Sequence, residues 1–243
     1  MCCFSGEVRS VTNTRIFARA GADGRQLLAY KMKFSAATDL AMILPLPVPK
    51  GAADGAVRFI DLKGYPDFFD DLASGFVSRG RAVRLASADL GEPLAVVRVG
   101  SFEASFVPSV KDFVRLDARF RMPDGVWDQL PQYQAFGFAV FKLERHAHTV
   151  HPMAFEFPRA DASKLFFPTV HVHDGIVRPD AKFDHELYCQ DRGHLAGQQG
   201  WRESHRPAGA FASSERAKGL LDKDGHVYFK RMFGKLKNQD TVV

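Results

Sequence analysis

The stretch "TRIFARAGADGRQLLAYKMKF", residues 14–34, constrains this chain most. Two apolar, aromatic and β-branched runs flank Asp23-Gly24, a dipeptide that readily supplies the positive φ of a tight hairpin turn. The same rhythm of short strand-like runs broken by Gly, Asp, Asn or Pro recurs in "EVRSV", "LAMILPL", "PLAVVRVGSFEASFV", "FGFAVFKL", "HPMAFEF", "LFFPTVHVHDG" and "HVYFKRMF". In "LPLPVPKG" each proline fixes its own φ and biases its predecessor away from helix, which suits an edge strand running into a loop.

Helical signals are fewer. "PDFFDDLASGF" places Pro66 at a first turn and acidic residues near the positive end of the helix dipole. Ser109 and Asp112 form a capping-box-like start for "SVKDFVRLDARF", and Val110, Phe113, Val114 and Phe120 share one face, so a core-facing helix is expected. A last helix is expected over 213–221. The pattern predicts an α+β fold: one β-rich domain over residues 1–235, of mainly antiparallel sheet with a few packed helices, followed by a polar tail over 236–243. The 22 phenylalanines fit the core of such a sheet.

Charge and cysteine content narrow the partners. The formal net charge is +5, with the excess spread out until the basic end "FKRMFGKLKNQDTVV". No nucleic-acid recognition motif accompanies it, so nucleic acid is not an expected partner; a small molecule or a peptide is. No apolar run is long enough to span a bilayer and no apolar leader opens the sequence, so a membrane partner is not expected either. Three cysteines make no extracellular disulfide framework, and a cytoplasmic location is expected. The sequence sets neither the oligomeric state nor whether the chain is an enzyme.

Two constellations could carry chemistry. The first is histidine. Most of the nine histidines lie between residues 146 and 194. In an extended strand residues two apart share a face, so His146 with His148, and His171 with His173, would present paired imidazoles. "HVHDG" runs into a turn at Asp174-Gly175, placing His171 and His173 at a strand end. Such a pair can bind Zn or Cu, with a further ligand from His185 or Cys189, four apart and on one side if helical. Without metal, His171 or His173 could act as general acid or base. No Cys-x-x-Cys or His-Glu-x-x-His signature is present.

The second is "MCCFSGEVRSVTNTRIFAR". Removal of Met1 would leave Cys2 with its thiol beside its own α-amine, which could serve as its base. This opening resembles that of the cysteine N-terminal-nucleophile hydrolases, the penicillin V acylase and bile-salt hydrolase family. The resemblance implies Cys2 as nucleophile of an amidohydrolase acting on C–N bonds, supported by Arg19. The arginine is followed here by Ala20, Gly21 and Ala22 before Asp23, and the oxyanion asparagine of that family has no counterpart beyond Asn13 and Asn238.

A broader likeness joins the same opening to "LAMILPLPVPKG", "VGSFEASFVPSVKDF" and "FGFAVFKLERHAHTVHPMAFEFP". In that order they resemble a bacterial domain-of-unknown-function family that starts near Cys-Gly-Gly-Phe-Phe and carries a Leu-Pro-Val-Pro strap. The resemblance implies one architecture for the terminal cysteine and the strap, and no activity. The sequence thus leaves three readings: a metal-binding protein, a Cys2 hydrolase, or a non-catalytic binding or scaffold domain.

Overall fold

The computed structural model describes residues 3–76, 103–145, 151–191, 195 and 198–243. In chain order its strands are β1 (Cys3–Phe4), β2 (Val8–Ala20), β3 (Arg25–Ala36), β4 (Leu40–Leu46), β5 (Arg58–Asp61), β6 (Glu103–Val107), β7 (Gly137–Leu143), β8 (Met153–Pro158), β9 (Phe166–Phe167), β10 (Asp180–Gln190), β11 (Arg202–Glu203), β12 (Tyr228–Lys237) and β13 (Thr241–Val242). One α-helix, α1 (Phe68–Ser74), lies between β5 and β6. The fold is β-rich and mainly antiparallel, as expected; β2 with β10 is a parallel pair.

The strands form a four-stranded sheet, β1-β4-β7-β6, a seven-stranded sheet, β11-β12-β10-β2-β3-β8-β5, and the small pair β13-β9. The two large sheets face each other across one apolar layer. Phe4, Met42, Leu44 and Phe141 come from the smaller sheet, and Ile16, Leu28, Tyr30, Phe155 and Leu187 from the larger. Each sheet is also covered on its outer side. α1 lays Phe68, Phe69 and Leu72 on Phe17, Ala29 and Tyr188, while Phe113, Trp127 and Tyr133 cover Phe138 and Val140. Burial on both faces explains why all seven residues of β4 are buried and its alternation is weak.

Local chemistry matches the sequence at several points. Asp23 and Gly24 have φ of 52° and 71° and turn β2 into β3. Pro45 sits inside β4 beyond Met42 and Ile43, the two residues that β1 pairs with among the described residues. α1 falls where "PDFFDDLASGF" placed a helix.

Three expectations are corrected. The helix expected from Ser109 is a pair of 3-10 turns, Val110–Arg115 and Ala118–Phe120, with Phe113 buried and Val114 turned to solvent. Residues 213–221 form turns, with Lys218 and Gly219 at positive φ, and no helix. Residues 236–243 are no free tail: β13 pairs with β9, and the half-buried Asp240 is bonded inward. Asp240 accepts from the Tyr133 hydroxyl at 2.5 Å and from the Thr169 and Val170 amides at 2.8 and 3.1 Å. Asn238, Asp240 and Thr241 pair with partners far away in sequence, so the segment is anchored to the fold although half of it is exposed.

Candidate functional site

The N-terminal strand and the histidine segment meet. Cys3 forms an antiparallel pair with Ile43 and a parallel bridge with Val172, and the Phe4 amide donates to the Val172 carbonyl at 3.0 Å. Alternation then sorts the side chains: Cys3, Val170 and Val172 face the outer layer that holds Phe113 and Tyr133. His171 and His173 point the other way, toward β10. There the His171 ring stands 5.4 Å from His173 and 5.2 Å from His185, nearly parallel to both at 14° and 22°. Phe183 tilts against His171 at 4.3 Å, and Phe4 meets His173 edge-on at 5.5 Å. Because His185 shares its face with Leu187 and Cys189, this stack closes one end of the apolar layer between the sheets.

Backbone irregularities hold the stack. β2 breaks register between Thr12 and Arg15, with Asn13 at φ 53°, a conformation asparagine tolerates. The Asn13 amide donates to Asp184 at 2.7 Å, and the Asp184 amide donates to Nδ1 of His185 at 3.3 Å, which places the His185 proton on Nε2. Asn238 fixes the histidine segment. Its Oδ1 accepts from the His171 amide at 2.7 Å, and its Nδ2 donates to the His171 and Arg178 carbonyls, each at 2.9 Å. A cleft of about 380 Å³ opens alongside, lined by Val11, His171, His173, Arg178, Lys182 and Asn238 among others.

The electrostatics hold these rings neutral. Burial, reinforced by the neighbouring histidines, lowers the proton affinity of the stack: His171 falls to about 2, and His185 lies far below its usual value. Burial likewise lowers His173 to about 4. All three are neutral near pH 7, and bases this weak are poorly matched to proton transfer there. Among the described residues the buried Nε2 atoms of His171 and His173 have no hydrogen-bond partner.

The expected metal ligands are distributed as follows. His171, His173 and His185 come together; Cys189 does not join them. β10 is a strand, not a helix, so Cys189 lies four residues, about 13 Å, along it from His185, buried in the core with its thiol pushed up by desolvation. Among the described residues no group of three His, Cys, Asp or Glu side chains stands where it could hold a metal ion. Stacked rings direct their in-plane nitrogens side by side, whereas an ion needs them to converge at about 2 Å. His146 and His148 lie outside the described residues.

Cys2 also lies outside the described residues. Arg19, its expected support, is a clamp on the backbone: its Nε donates to the Leu220 carbonyl at 2.7 Å and a terminal nitrogen to Gly219 at 2.5 Å. The β2–β10 register sets Arg15 level with Glu186 and Arg19 level with Gln190, so Arg19 stands about 16 Å along the sheet from the level of His185. Sequence reasoning dismissed Asn238 and did not consider Asp240, which hold the histidine segment in place; no sequence spacing links them to residues 169–171.

Comparison with known proteins bears on the fold. No protein-family model matches the sequence, and no curated protein matches it. Solved structures similar to it include baculovirus P35, at a TM-score of 0.54 and 13 % identity over 99 % of this chain and 98 % of that one. A mutated baculovirus P35 after caspase cleavage matches at a TM-score of 0.50 and 12 % identity, over 95 % of this chain and 99 % of that one. Among the described residues no helix is long and apolar enough to cross a membrane.

Proposed function

We propose that this chain is a non-catalytic protein ligand of a cysteine protease of the caspase kind. One observation carries the reading: the fold is shared with baculovirus P35 from end to end of both chains, and P35 is a protein that a caspase cleaves. The chemistry of the site supports it. The histidine stack is neutral and weakly basic, Cys3 and Cys189 are buried, and Arg19 is spent on backbone carbonyls. On this reading the chain meets its protease in the cytoplasm, where such thiols stay reduced.

The test is to incubate the purified chain with active caspases and follow intact mass and gel filtration together. A single cut at one site, or a complex that survives the column and is lost when the protease active site is blocked, is expected. Neither cleavage nor complex across the panel overturns the reading.

A further inference from the structure

Among the described residues the outer edge of the seven-stranded sheet is mostly without a neighbouring strand. β10 pairs with β12 along its whole length, from Tyr228 to Lys237, but on the other side β11 pairs with Tyr228 and Phe229 alone. From residue 230 onward β12 has no strand beside it among the described residues. Unpaired edge N–H and C=O groups are a template for a further strand. The side chains set what kind. β12 carries Lys230, Arg231, Lys235 and Lys237 and no acidic residue. Phe233 is 65 % exposed, with the Arg231 guanidinium 5.1 Å from its ring.

The acids of the adjacent strand, Asp180, Asp184 and Glu186, offset these charges only in part, and Asp184, level with Phe233, already accepts from the Asn13 amide at 2.7 Å. Glu186, level with Arg231, is engaged by Arg15 at 3.0 Å, and Asp180 lies 3.5 Å from Lys235. Lys182 and Lys235 stand directly opposite each other, a like-charge pair that an anionic neighbour would relieve. A second copy pairing through the same edge would set Lys and Arg against Lys and Arg.

We infer that β12 is a docking edge for an extended acidic peptide segment of a partner protein, added as a strand along β12 from residue 230 onward with its carboxylates on the Arg231 and Lys235 face. Main-chain hydrogen bonds would supply affinity and the alternating carboxylates specificity. This site is independent of the protease reading.

The probe is a fluorescein-labelled peptide, Thr-Glu-Val-Glu-Val-Glu-Val-Thr, read by anisotropy against the full chain. Saturable binding is expected, weakened at least about tenfold when glutamines replace the glutamates or when alternate backbone nitrogens are methylated. An Arg231→Glu, Lys235→Glu variant, checked for unchanged circular dichroism, should lose binding by a similar factor. Absence of binding overturns the inference, and so does equal binding of the methylated peptide, because charge alone would then account for it. Binding of anionic vesicles or of DNA without binding of the peptide overturns it as well.

Discussion

Acid should unfold this protein through the histidine stack. The three rings are neutral in the folded state: burial holds His171 at about 2 and His173 at about 4, and His185 lies lower still. In the unfolded chain each titrates near 6.5. Their contribution to stability is therefore present in full above about pH 6.5 and is lost as pH falls from there toward the folded values. At about pH 5 the unfolded chain has taken up about one proton per histidine that the folded chain refuses, a cost of about 2 kcal/mol each and about 6 kcal/mol for three. Domains of this kind are stable by about 5–15 kcal/mol, so the change is decisive. Asp240 has the opposite sign. Burial raises its affinity for a proton, so its contribution is present in full below about pH 3.8 and lost as pH rises through the folded value. Urea denaturation followed by near-ultraviolet circular dichroism at about pH 7.5 and pH 5 measures the difference, and a His185→Leu variant should lose about a third less. A difference under about 1 kcal/mol would refute the claim that the rings are held neutral by burial.

Further outcomes follow from the same contacts. Asp240→Ala leaves the Tyr133 hydroxyl and the Thr169 and Val170 amides without their acceptor, and should cost about 3–5 kcal/mol in urea denaturation. Arg19→Met removes the clamp on Gly219 and Leu220 and should cost about 1–3 kcal/mol while leaving protease binding unchanged in gel filtration. Gly137→Ala sets a Cβ 2.6 Å from the Phe106 ring and should lower the melting temperature.

The fold was legible where local chemistry and burial agree. Asp23-Gly24 needs positive φ wherever it sits, and "PDFFDDLASGF" carries a helix's own signals, so the β2–β3 turn and α1 could be read directly. Ser109 starts the expected segment but Leu116 and Arg121 are extended, so the chain breaks into 3-10 turns that Phe113 pins to Phe138. The stack was half legible. The two-residue spacing of His171 and His173 gives a shared face, and their neighbour His185 was named, but its partnership with Cys189 assumed a helical period that β10 does not have. What fixes the stack, Asn238 on His171 and Asp240 on the preceding amides, spans about 70 residues of sequence and leaves no local trace.

A caspase activity assay distinguishes a protease ligand from a chain that does not engage the protease. Pre-incubation with increasing amounts of the chain, followed by a fluorogenic peptide substrate, should abolish activity as the two proteins approach equal concentration. Full activity at a large excess of the chain, with the chain uncut, would rule out the proposed protease binding.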